Sequence, residues 1–202
     1  MNSISIVYID DINDIILSKY MEKTYCSKNY RDIKKDYKEI QFKNSMSYED
    51  LLRDNVVRSA NVILIDNHLF EERAAHSGRF SGKQFKVILR KLLPFVEVVI
   101  ITADETIVEG RIVRKHNSKQ ASDPNVYYDS NLACLLDEAI DEVLEFKGFA
   151  ADLIQSLDVE RMLIEKIQNS IQGNDSYDSL TTQDVNELIN TFKELKRSVE
   201  QS

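Results

Sequence analysis

Three short apolar runs rich in β-branched residues constrain this chain more than any other feature: Ile4 to Ile9 (ISIVYI), Val62 to Ile65 (VILI) and Val98 to Ile101 (VVII). Each is apolar on successive rather than alternate residues, so both of its faces need cover, as strands inside a parallel sheet do. Between them lie segments with helical spacing of apolar residues, Ile12 to Met21, Tyr48 to Val57 and Phe85 to Leu93. Two weaker strands complete the order: Glu39 to Phe42, and Val126 to Tyr128 after the turn Asp123-Pro124-Asn125. Strand and helix thus alternate through five units, which predicts an α/β fold built on a doubly wound five-stranded parallel sheet.

That alternation predicts a domain over residues 1–145 and a C-terminal α-helical extension over 146–202, for output or dimerisation. Two long amphipathic helices, about Ala150 to Gln172 and Gln183 to Val199, are expected in the extension. Its apolar stripes predict a homodimer through these helices, the alternative being that they pack on each other or on the preceding domain. From Glu145 onward the chain has 11 acidic and 6 basic residues, −5 of its −8, which argues against a nucleic-acid reader. With 43% hydrophobic residues, five Gly and two Pro, the 202-residue chain has the composition of a folded, helix-rich protein. No apolar run reaches the roughly 20 residues of a membrane span, and no targeting pattern opens the chain, so no membrane contact and a cytoplasmic location are expected. Cys134 lies in an apolar helical pattern and reads as a buried free thiol.

Ligands of an open parallel sheet bind beyond the carboxyl ends of its strands. The first strand ends in Asp10-Asp11, the third in Asp66 and the fourth in Thr102-Ala103. Three carboxylates and a hydroxyl would converge there. Close carboxylates require a cation or a shared proton, and an oxygen-only ligand set with room for water suits Mg²⁺. The chemistry this favours is phosphoryl transfer to a carboxylate, with Asp66 as the nucleophile. The alternative is that these acids only cap the helices that follow.

The segments Ile6-Val7-Tyr8-Ile9-Asp10-Asp11, Val62-Ile63-Leu64-Ile65-Asp66 and Val99-Ile100-Ile101-Thr102-Ala103 resemble the acidic pair, phosphoacceptor strand and switch-hydroxyl strand of CheY-like response-regulator receiver domains. The resemblance covers residues 1–145 and implies a flavodoxin/CheY-like fold, a place in a two-component phosphorelay and a histidine kinase or phosphotransfer protein as partner. It implies a Mg²⁺ site made of Asp10, Asp11, Asp66 and the backbone carbonyl of His68, with Asp10 bonding through the metal's waters. It makes Asp66 the phosphoacceptor and Thr102 the hydroxyl that turns toward the phosphoryl group. It also implies a signalling protein and not an enzyme.

Two stretches depart from the pattern. The family places a Lys at the end of the fifth strand, and matching Val126 to Tyr128 to that strand puts Tyr128 in its place, with Lys119 and Lys115 as candidate substitutes. Tyr128 supplies no positive charge, so the alternatives are a pseudo-receiver, an interaction module without regulated phosphorylation, or a stand-alone phosphoryl sink. The stretch Asn67 to Ser81 is longer than the family's loop and carries Arg73, His76 and Arg79; it reads as a lid or as a solvated insertion. Gly78 to Lys83 imitates a phosphate-binding loop but is one residue short, with Gln84 where a Ser or Thr belongs. Arg111, Arg114 and Lys115 read as a basic stripe on a helix.

Overall fold

A computed structural model of the chain describes residues 3–43, 45–70, 81–104, 110–119, 123–154 and 161–171. Five strands form one all-parallel sheet: β1 (Ser3–Asp10), β2 (Lys34–Gln41), β3 (Val62–Asp66), β4 (Glu97–Thr102) and β5 (Ile112–Arg114). Their order across the sheet is β2-β1-β3-β4-β5. This is the flavodoxin/CheY order, whose switch point lies between β1 and β3.

The double-sided burial expected of the apolar runs is visible residue by residue. Ile4, Ile6 and Tyr8 of β1, Val62 and Leu64 of β3, and Val99 and Ile101 of β4 face one core layer. Val7 and Ile9, Ile63 and Ile65, and Val98 and Ile100 face the other. The first layer is covered by α1 (Ile15–Tyr20), α5 (Pro124–Tyr128) and α6 (Cys134–Ile154); the second by α2 (Tyr48–Arg53), α3 (Asn55–Arg58) and α4 (Gly82–Leu92). A last helix, α7 (Arg161–Ile171), follows α6. The helix α6 runs unbroken through residue 145, and the expected helix over Gln183 to Val199 lies outside the described residues. Among the described residues, no helix is long and apolar enough to cross a membrane.

Several elements differ from the sequence reading. The fifth strand is Ile112–Arg114, and Val126 to Tyr128 are helical. Asp123 caps α5 by accepting from the Asn125 amide, and Pro124 stands in its first turn, where a missing N–H costs nothing. Asp-Pro-Asn is therefore a helix start and not a turn into a strand. The basic helical stripe is likewise a strand with its ends, and Arg111 pairs with Glu97 at 2.6 Å and with Glu142, tying the sheet's last edge to α6. The strand β2 begins five residues earlier than expected because an edge strand so rich in charge (KKDYKEIQ) gives little apolar signal. The helix expected over Tyr48 to Val57 breaks at Asp54, whose extended backbone ends α2 while its carboxylate caps α3. Cys134 is exposed, contrary to expectation.

A tyrosine–aspartate ladder closes the first layer. Tyr20 donates to Asp129 at 2.7 Å, Tyr25 to Asp137 at 2.7 Å and Tyr30 to Asp141 at 2.9 Å. Lys28 and Arg31 pair with the first and last of these acids. A π-helical turn, Met21–Tyr25, extends α1 so that Tyr25 reaches α6. On the opposite face, Gly82 starts α4 directly beneath the end of β3, its amide donating to the Asn67 carbonyl at 2.9 Å. A Cβ there would stand 2.4 Å from the Asp66 carbonyl oxygen, which is backbone and cannot step aside. Gly82→Ala should therefore destabilise the protein by about 1–3 kcal/mol, the range for overpacking; urea denaturation checks this.

Candidate metal centre

The strand order dictates which side chains meet. Asp10 ends β1 and Asp66 ends the adjacent β3, so the two buried carboxylates lie at the switch point. Asp11, the first residue past β1, completes a trio with one oxygen from each acid within 4.8 Å of the others. Thr102 ends β4, fully buried, and its hydroxyl accepts from the Asp104 amide at 3.1 Å. Lys115 follows β5, and its amide donates to the Thr102 carbonyl at 2.7 Å. From that anchor its ammonium reaches Asp10 Oδ2 at 2.8 Å and Asp66 Oδ1 at 2.9 Å. The His68 amide donates to Asp66 Oδ2 at 2.7 Å, so both Asp66 oxygens have a donor. Tyr8, buried on the Asp10 side of β1, donates its hydroxyl to Asp10 Oδ2.

This is the arrangement of acids and lysine that the receiver resemblance implies. The chain has the fold of a receiver domain, with a C-terminal helical part. Among solved structures, the receiver-like chain is similar to a two-component transcriptional regulator AraC from Clostridium phytofermentans ISDg. The identity is 17% and the TM-score 0.43, over 72% of this chain and 98% of that one. It is also similar to the two-component response regulator RcsB in a DNA complex, at 14% identity and a TM-score of 0.41, over 86% of this chain and 92% of that one. No protein-family model matches the chain. No curated protein matches its sequence.

Three carboxylates and one ammonium leave the pocket a formal charge of −2 if all are ionised. Burial pushes the Asp66 carboxyl above the ordinary range and Asp10 adds to this, while Lys115 and the His68 amide oppose it. Asp11 is raised by burial and by Asp10. Burial pulls Lys115 down, but its pairing with Asp10 and Asp66 outweighs that and holds the ammonium charged. Burial first, and then Asp10, raise Tyr8 far above the ordinary phenol range, so its hydroxyl stays protonated. The donors are all oxygens and carry excess negative charge, which fits Mg²⁺ and does not suit a soft metal.

Of the sequence-predicted residues, Asp10, Asp11 and Asp66 come together, and Thr102 stands beside them at the end of β4. Tyr128 does not occupy the lysine position. It lies in α5 with its hydroxyl accepting from the His116 amide at 3.0 Å and donating to Asp14 at 3.3 Å. The position belongs to Lys115, masked in the sequence because three-residue β5 shows no periodicity. Tyr8 was hidden too, because inside an apolar run a tyrosine reads as core. Arg73, His76 and Arg79 lie outside the described residues.

The raised pKa of Asp66 fixes the sign of a pH effect. Above its folded-state value the buried carboxylate is ionised at a penalty, and that penalty shrinks as pH falls from this value toward the unfolded one, because the native state takes up the proton first. In chelator at neutral pH, Asp66→Asn should melt higher than wild type by about 1 kcal/mol, roughly 2–4 °C. The gap should narrow toward about pH 4, the ordinary carboxylate range. Thermal melts across pH measure both.

Proposed function

We propose that this protein is a phosphoacceptor of a two-component phosphorelay, taking a phosphoryl group on Asp66 with Mg²⁺ present and signalling through protein contacts. The observation that carries the reading is the Lys115 ammonium held between Asp10 and Asp66 at the carboxyl end of a receiver-type sheet. It supplies the charge whose apparent loss favoured a pseudo-receiver, so phosphoryl acceptance is the simpler account.

In this reading an Asp66 oxygen forms the O–P bond as the P–N bond of a phosphohistidine breaks, and the electron pair leaves with the imidazole nitrogen. The donor is a histidine kinase or phosphotransfer protein. Lys115 shifts from the carboxylates to the new phosphoryl oxygens, and the His68 amide holds the Asp66 carboxylate in line. Asp10, Asp11, Asp66 and the His68 carbonyl would hold Mg²⁺, which screens the charge on the transferring oxygens. Thr102 reads the phosphorylated state, its hydroxyl leaving the Asp104 amide for the phosphoryl group. The C-terminal helices serve as the output or homodimer contact; exposed Phe149, Met162 and Leu163 on α6 and α7 support that assignment.

Incubation with Mg²⁺ and a small phosphodonor should add about 80 Da, one phosphoryl group, to the intact mass. Asp66→Asn should abolish the gain, and a gain that persists in the variant sinks the assignment. Mg²⁺ at about 100 times its Kd should raise stability by roughly 2.7 kcal/mol. Melts that do not move between chelator and millimolar Mg²⁺ would return the pseudo-receiver to first place. Light scattering on the full chain should give a dimer mass, and a monomer with or without phosphorylation would leave the helices as an intramolecular cover.

A further inference from the structure

Tyr8 precedes Asp10 by two residues on β1, so the alternation of the strand turns both side chains to one face. Both are fully buried. The Tyr8 hydroxyl and the Lys115 ammonium donate to the same oxygen, Asp10 Oδ2, while Oδ1 accepts from the Ile12 amide at 3.2 Å. A buried carboxylate oxygen stripped of a donor feels the loss in full.

The phosphoacceptor reading, on which this inference rests, requires Lys115 to carry its ammonium from the carboxylates to the phosphoryl oxygens. With an aliphatic residue at position 8, Asp10 Oδ2 would have neither of its side-chain donors at that moment. We infer that Tyr8 is a positioning residue for phosphoryl acceptance: its hydroxyl stays on Asp10 Oδ2 and so frees Lys115 for the phosphoryl group on Asp66. A tyrosine suits the task because its hydroxyl donates without adding charge. Its ring is packed in the core layer of Ile6, Leu64 and Ile101 and cannot follow the lysine.

Beryllofluoride, which mimics a phosphoryl group on a carboxylate, tests this on the full chain with Mg²⁺ by calorimetric titration. Tyr8→Phe keeps the ring and removes the donor, and should weaken beryllofluoride binding about tenfold, the scale of one hydrogen bond to a charged group. In a Lys115→Met background Asp10 Oδ2 has the same donors before and after loading, so Tyr8→Phe should change affinity by less than about twofold. Equal losses in both backgrounds, or none in the first, overturn the inference, because a merely structural Tyr8 would not distinguish them. Should a variant fail to fold or to load, wild-type protein with ¹³C-labelled tyrosine decides. The Cζ resonance of Tyr8 should move on loading as Lys115 leaves the shared oxygen, and an unmoved resonance overturns the inference. A wild-type chain that takes up no beryllofluoride overturns the phosphoacceptor reading itself, and this inference with it.

Discussion

The Lys115 ammonium, 2.8 Å from Asp10 and 2.9 Å from Asp66, is the interaction on which the carboxyl end of the sheet depends. Two carboxylates that far from water are unstable without a counter-charge, and removing the ammonium, which would leave both uncompensated, typically costs about 3–5 kcal/mol. The pairing also joins distant parts of the chain. Lys115 directly follows the last strand, while Asp66 ends a strand in the middle of the sheet and Asp10 ends the first, so the charge balance forms only when β1, β3, β4 and β5 lie in register. Its anchor is the backbone bond to the Thr102 carbonyl, which makes the β4 end a support for the lysine as well as a neighbour of the site.

Around that pocket the two layers serve different ends. On one face the apolar core closes on β3 through Gly82, which lets α4 begin against the Asp66 backbone. On the other face the tyrosine–aspartate ladder ties the α1 region to α6 with neutral donors on charged acceptors, bonds stronger than neutral pairs and available without further lysines. Tyr128 extends the same device toward the site. By linking Asp14 to the amide next to Lys115, it joins the loop that follows β1 to the loop that follows β5.

What the sequence revealed follows from how strongly each element is buried. β1, β3 and β4 are covered on both faces, so their apolar runs were plain, and Asp10, Asp11, Asp66 and Thr102 stood out as polar residues ending them. The edges were not plain, because an edge strand is half solvated. β2 is mostly charged and β5 is three residues long, shorter than any periodicity can register. Val126-Tyr127-Tyr128, aromatic and β-branched, then looked the better strand, and the lysine position moved with it to Tyr128. The break at Asp54 was hidden for a related reason. One aspartate ends α2 and caps α3, and only backbone geometry separates that from a helical surface position. Tyr8 carried no signal at all, since its role depends on a partner two residues along the strand and a lysine more than a hundred residues away.

The most direct test of the account is the ³¹P spectrum of the full chain treated with Mg²⁺ and a small phosphodonor. A carboxylate acceptor predicts one protein-bound acyl-phosphate resonance that hydroxylamine removes. A protein-bound signal that survives hydroxylamine, or no protein-bound signal in the folded chain, would contradict it.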